Sequence, residues 1–255
     1  MLTASIVVLT HNRRGALADC LAAILEKTRC DYELLVVDNG STDGTDDVLR
    51  GIMARKPNWM RVFTRPSNEG VCARNHALRE AQGEYILQVD DDVVVGPGWD
   101  EALLAPMRAD IRTGAVGQQG FWLNWEGLLR PGATRFLDSR HPQPGDFCDL
   151  VMGYCWAWQN VRLADGAPAF LYDERFNPHW HEETDLQLQI KAAGYRIRCG
   201  PIVSRHRSMK SWQGAHNNDP MIGLHHAIAH ERLLLEKWGQ RRADLGLELD
   251  RRGLQ

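Results

Sequence analysis

Short apolar runs alternate with helical periodicities from residue 5 to residue 89. Ser5 to Thr10 is near-continuously apolar, the pattern of a strand covered on both faces. Arg13 to Thr28 places Leu17, Leu21, Ile24 and Leu25 at helical spacing. Tyr32 to Val37 repeats the strand pattern and stops on Asp38. The turn from Asn39 to Gly44 then leads to Thr45, which predicts an N-cap for a helix carrying Val48, Leu49, Ile52 and Met53. Val62 to Thr64 is a weaker third strand, and Gly70 to Ala81 a helix with Ala73, Ala77, Leu78 and Ala81 inward. Tyr85 to Val89 is a strand that runs into Asp90-Asp91-Asp92. This alternation predicts an α/β fold with a mostly parallel central sheet and helices on both faces. Ligands of such sheets bind beyond the carboxyl ends of the strands, where Thr10, Asp38 and Asp90 stand.

Beyond residue 95 the pattern weakens. Gly96 to Asp165 is rich in Trp, Gly and Pro and predicts no clear elements. Order returns with a helix over Glu183 to Ala193, with Leu186, Ile190 and Ala193 on one face, and a strand over Tyr195 to Cys199. A basic segment from Arg205 to Lys210 follows, and the stretch from about Pro220 to Arg242 predicts one amphipathic helix carrying Leu224, Ile228 and Leu235. With no repeat or linker, one domain is the simplest reading.

Composition narrows the class. Hydrophobic residues at 44% and charged residues at 25% describe an ordinary globular chain. A net charge of -3 gives no reason to expect nucleic acid or an anionic membrane as the main partner. No apolar run approaches the roughly 18–20 residues that span a bilayer, and the first residues carry no basic leader. The six cysteines form no Cys-x-x-Cys pair and read as reduced core thiols. The expected location is cytoplasmic, with peripheral membrane contact compatible.

Several clusters carry candidate chemistry. On a strand, Asp90 and Asp92 share a side while Asp91 points away, and two converging carboxylates make a hard oxygen site suited to Mg²⁺ or Mn²⁺. Asp38 reads equally as a ligand of a base or ribose and as a turn-capping residue. Arg74 and Asn75 open a helix, where Arg74 suits a diphosphate or a surface ion pair. His181-Glu182-Glu183-Thr184-Asp185 starts a helix, where acidic residues either complement the macrodipole or supply a proton acceptor. His206, between Arg205 and Arg207 and near Lys210, could complete a metal site. His179-x-His181 and His226-x-x-x-His230 are weaker transition-metal candidates. Trp122, Trp125, Trp156 and Trp158 read as sugar-stacking or core residues.

In order along residues 3 to 210, these segments resemble the family-2 glycosyltransferases of the GT-A fold. The carriers are Ile6 to Arg13, Leu35 to Thr45, Asn68-Glu69-Gly70 through Asn75, Tyr85 to Asp92, and Tyr172 to Phe176 leading into Glu182 to Leu186. The resemblance implies a metal-dependent, inverting transfer of a sugar from a nucleotide-diphosphate donor to a hydroxyl of a glycan or glycoconjugate acceptor. It divides the chain into a GT-A domain over 1–215, with a nucleotide-binding half at 1–95 and an acceptor-binding half at 96–215, and a helical extension at 216–255. Thr10, Asn12, Asp38, Arg74, Asp90 and Asp91 would bind the donor, and Asp92 and His206 the Mn²⁺ or Mg²⁺. Glu183 would be the base, with Glu182, Asp185, Trp156 and Trp158 either touching the acceptor or supporting the residues that do. The family usually has Glu-Asp where this chain has Glu182-Glu183, which leaves the base open between the two. His11 stands where Tyr is common. The rival readings are a sugar-1-phosphate nucleotidyltransferase, for which Thr10 to Gly15 holds only one glycine, and a non-catalytic carbohydrate-binding protein.

Overall fold

The computed structural model describes residues 2–55, 59–123, 141–207 and 220–247. Trp125, Lys210 and the side chain of Leu224 lie outside what is described. The first half runs β1 (Ala4–Thr10), α1 (Arg14–Lys27), β2 (Tyr32–Asp38), α2 (Thr45–Met53), β3 (Met60–Thr64), a 3₁₀ turn (Val71–Arg74), α3 (Asn75–Glu80) and β4 (Tyr85–Val89). Next come β5 (Val93–Val95), α4 (Trp99–Ala109), β6 (Thr113–Gln118), β7 (Gly120–Phe121), β8 (Phe147–Cys148), β9 (Leu150–Val151) and β10 (Cys155–Gln159). The chain ends with α5 (Glu182–Ala192), β11 (Arg196–Gly200), β12 (Ser204–His206) and α6 (Pro220–Trp238).

The main sheet has eight strands in the order β3-β2-β1-β4-β10-β6-β11-β8. The pairs β3–β2, β2–β1, β1–β4 and β6–β11 are parallel, while β10 runs antiparallel to both β4 and β6. Successive side chains on β1 serve opposite faces. Ile6 and Val8 pack with Leu17 and Leu21 of α1 and Leu103 and Leu104 of α4. Val7 packs with Ala77 and Leu78 of α3 and Leu186 and Ile190 of α5. Both faces are therefore covered, which is why these strands read as continuous apolar runs.

Three local expectations change. Thr45 is the first helical residue of α2 and not its cap; Gly44, at φ 83°, makes the turn, and the Thr45 hydroxyl bonds to Asp43. The helix expected over Gly70 to Ala81 is a 3₁₀ turn followed by a short α3. The unreadable middle holds α4 and β6. In β6, a Cβ on Gly117 would come within 2.6 Å of Val151 and 2.8 Å of Trp156, so close packing selects glycine against strand propensity.

The C-terminal helix packs on the second half of the domain. Leu234 and Trp238 join Leu123, Leu150, Phe176 and Leu188 in a third apolar cluster, while Ile228, expected to face inward, is 40% exposed.

Candidate active site

The acidic triplet is a turn, not a strand end. β4 stops at Val89, and the Val93 N–H donates to the Asp90 carbonyl at 3.0 Å, folding the chain back. Asp90 and Asp92 converge because of that turn and not because strand side chains alternate. β5 then pairs antiparallel with β12, setting His206 opposite Val93, and the Arg207 N–H donates to the Asp92 carbonyl at 2.7 Å. His206 Nε2 lies 3.4 Å from Asp92 Oδ1. Ligand atoms of Asp90, Asp92 and His206 all lie within 4.8 Å of one another, and no other such group of three occurs among the described residues. Two carboxylates and an imidazole fit a hard or borderline divalent cation such as Mg²⁺ or Mn²⁺.

Two arginines balance this charge. Asp91 turns toward β1, accepting from the Thr10 hydroxyl at 2.8 Å and from Arg13 Nη1 at 3.0 Å. The same Arg13 nitrogen donates to Asp92 Oδ2 at 2.9 Å. The two oxygens of Asp92 are thus divided, Oδ1 toward His206 and Oδ2 to Arg13. Buried Arg74 donates to Asp90 Oδ1 at 2.6 Å. Burial opposes the Arg74 charge, but Asp90 and its other acidic neighbours outweigh it and hold the pKa above the ordinary value. Burial pushes Asp91 up to about 6, against the pull of Arg13 and Thr10.

Behind Arg74 stands the glutamate pair. Trp180 and His181 take left-handed conformations, at φ 84° and 63°, immediately before α5. Such backbone costs on the order of 1 kcal/mol or more per residue, and here it precedes the turn of helix that sets Glu183 against Gln88 of β4 and Gly153. Burial raises the pKa of both, and each also feels Asp90. Gln88 Nε2 donates to Glu183 Oε1 at 3.2 Å. A Cβ on Gly153 would fall on the Glu183 carboxylate, so only glycine leaves room for it.

Thr10 and Asp38 are register partners at the ends of β1 and β2. Asp38 accepts from the Ser41 N–H at 3.0 Å, the turn-capping role. Asn12 Oδ1 accepts from the Thr42 N–H at 2.7 Å, tying the two loops together.

Other expected site residues are elsewhere. Trp156 and Trp158 stack on each other at 4.3 Å inside the core, at 0% and 2% exposure, so neither offers a face to a sugar. Trp122 is also buried. Asp185 is fully buried and accepts from Trp238 Nε1 at 2.7 Å and Lys237 Nζ at 2.9 Å, so it anchors α6 and does not face an acceptor. His230 Nδ1 lies 2.9 Å from the His179 carbonyl and 3.1 Å from that of Trp180, and His226 stacks on His230, forming a joint between α6 and the loop before α5. Arg13, Gln88, Gly153 and Tyr172 border the site without having been singled out for it. Only Gln88 left a signal, as an amide inside an apolar strand, because a buried polar group needs partners.

Comparison with known proteins places the chain in a family. The profile described as glycosyl transferase family 2 matches residues 5–144, more than half of the chain. The chain belongs to glycosyltransferase family 2. A relative named as an uncharacterized glycosyltransferase, YfnE of Bacillus subtilis, is 35% identical over 82% of this chain and 65% of its own length. A poly(ribitol-phosphate) beta-glucosyltransferase of Bacillus spizizenii is 38% identical over 39% of this chain and 16% of its own. The chain therefore spans less than two thirds of these curated relatives. Among solved structures, the mannosyltransferase PcManGT of Pyrobaculum calidifontis, in complex with GDP-Man and Mn²⁺, superposes with a TM-score of 0.60 at 19% identity, over 83% of this chain and 59% of that one. GalNAc-T7 with UDP, GalNAc and Mn²⁺ gives 0.61 at 18% identity, over 79% and 43%. Both likenesses concern the GT-A fold. No helix among the described residues is long and apolar enough to cross a membrane.

Proposed function

We propose that this family-2 chain is an inverting, divalent-cation-dependent glycosyltransferase. It moves a sugar from a nucleoside-diphosphate donor to a hydroxyl of a glycan or glycoconjugate acceptor. The observation that carries this reading is the convergence of Asp90, Asp92 and His206 with a glutamate pair whose charge feels both Asp90 and the Arg74 bonded to it. Asp92 and His206 hold the cation, with Asp90 completing the corner, and Thr10, Asn12 and Asp38 border the nucleotide. A cation bound there supplies Lewis-acid neutralisation of the diphosphate's developing charge. Arg205 and Arg207, which flank His206 on and after β12, would supply contacts to phosphate, Arg207 by leaving Asp19 and the Gly15 carbonyl. Glu183 accepts the proton of the acceptor hydroxyl as that oxygen bonds to the anomeric carbon and the bond to the diphosphate breaks. One displacement inverts the anomeric centre.

Thermal-shift measurements with UDP, GDP and dTDP, each with and without Mn²⁺, test the donor half, because a ligand of the folded form raises the melting point. At least one nucleotide should raise it with Mn²⁺ and not without. Proton NMR of the product formed from the stabilising nucleotide's sugars tests the chemistry. No Mn²⁺-dependent shift, or a product that retains the donor's anomeric configuration, overturns the reading.

Arg13 gives a prediction whose sign is informative. Removing a positive charge beside the site would, by Coulomb's law alone, tighten cation binding. If Arg13 instead holds Asp92 with Oδ1 turned to His206, Arg13→Leu weakens Mn²⁺ binding about tenfold, as loss of a ligand's supporting partner does. Electron paramagnetic resonance titration with Mn²⁺ reads the difference, and tighter binding would show Arg13 to be only a competing counter-ion.

A further inference from the structure

Gln88 is an anomaly of the central sheet. It sits inside β4, fully buried, opposite Val7 of β1 and Trp156 of β10. Ile86, on the same face two residues earlier, is part of the apolar core. An amide in such a place is costly unless every polar atom is satisfied, and leucine would fill nearly the same volume. All of its polar capacity is directed. Nε2 donates to the Gly153 carbonyl at 2.8 Å and to Glu183 Oε1 at 3.2 Å. Oε1 accepts from the Tyr172 hydroxyl, which fixes which end of the amide faces Glu183. Tyr172 is itself held, because Asn75 exchanges two hydrogen bonds with its backbone at 2.8 and 2.9 Å.

We propose that Gln88 is the positioning residue of the catalytic carboxylate, its amide holding Glu183 Oε1 so that Oε2 is left for the acceptor proton. This rests on the reading of Glu183 as the base, and it separates Glu183 from Glu182. Glu182 meets the backbone amides of itself and of Trp180 instead, and among the described residues no side chain donates a hydrogen bond to it. The groups that face Glu183 are Glu182 on α5 and Asp90 beyond β4, which disfavour its charge, and Arg74 on the 3₁₀ turn, which favours it. The Tyr172 hydroxyl is turned to Gln88. An N–H donated to the carboxylate stabilises its charged form, so the amide both aims the base and offsets part of the rise, to about 8, that burial imposes on it. Removing the amide raises the Glu183 pKa.

The test uses the full chain with carboxyl-¹³C-labelled glutamate, the Glu183 signal being assigned by its loss in Glu183→Gln. Gln88→Leu should move the Glu183 titration upward by about one pH unit, the size expected for a lost charge-stabilising hydrogen bond. Tyr172→Phe removes only the hydroxyl that orients the amide and should give a smaller shift of the same sign, so the idea stays testable if Gln88→Leu fails to fold. Release of nucleoside diphosphate from UDP-, GDP- or dTDP-sugars with Mn²⁺ is followed in parallel against pH. The acid limb of Gln88→Leu should move up with the titration, leaving a loss of about tenfold at neutral pH that recovers at high pH. A packing defect would not recover with pH. An inactive Glu183→Gln together with unmoved titrations in both folded variants sinks the clamp and leaves the base reading standing. An active Glu183→Gln sinks the base reading itself.

Discussion

Glu183→Gln lowers the rate of sugar transfer about 10²- to 10⁴-fold, the usual worth of a general base, while the affinity for Mn²⁺ and nucleoside diphosphate stays within about twofold. The exchange removes the charge and keeps the shape, so the Gly153 pocket and the contact from Gln88 remain filled. A base must be deprotonated to act, and burial holds this carboxyl above its ordinary value of 4.5. Activity should therefore fall as pH drops through that raised value, earlier than an exposed glutamate would dictate. Stability moves the opposite way. A carboxyl whose folded-state pKa is raised contributes stability that is fully present below its unfolded pKa and is lost as pH rises through the folded one. The uncharged glutamine escapes that loss. Without ligands, the variant's melting point should thus gain on that of the native chain between pH 5 and pH 8. Calorimetry at the two pH values and a transfer assay check the pair of effects, and full activity in the variant removes Glu183 from the mechanism.

Asp92→Asn weakens Mn²⁺ binding by at least about a hundredfold and lowers transfer with it, because replacing a direct ligand costs more than the 10–100-fold typical of its supporting partners. Asparagine keeps an oxygen for Arg13 but offers the cation no negative charge. Asp92 faces both His206 and Arg13, so its replacement disturbs the corner from two sides. His206→Ala leaves both carboxylates and should cost less. Titration with Mn²⁺ in the presence of nucleoside diphosphate ranks the two variants. Native-like Mn²⁺ affinity in a folded Asp92→Asn would move the cation elsewhere.

Much of the chain up to residue 95 was legible because its strands are buried on both faces and its helices have apolar stripes. β1, β2 and β4 fall within a residue of where periodicity put them. The middle was not. In β6, Gly114 and Gly117 obey neighbours such as Tyr195 and Trp156 that are remote in sequence, so local preference says nothing useful about them. Trp156, Trp158 and Asp185 show the same limit from the other side. Indoles and carboxylates have the right chemistry for an acceptor site, but which side chains are buried is settled by packing.

The sequence by itself determined the α/β plan, the acidic triplet at the end of a buried strand and the glutamate pair at the start of a helix, because hydrophobic period and residue chemistry are local properties. Tertiary structure decided that His206 meets Asp92 across 114 positions of chain, through the β5–β12 ribbon. It also decided that Arg13 joins Asp91 to Asp92 and that Gln88 reaches Glu183. Such contacts depend on strand pairing and helix placement, which set distances that no spacing along the chain encodes.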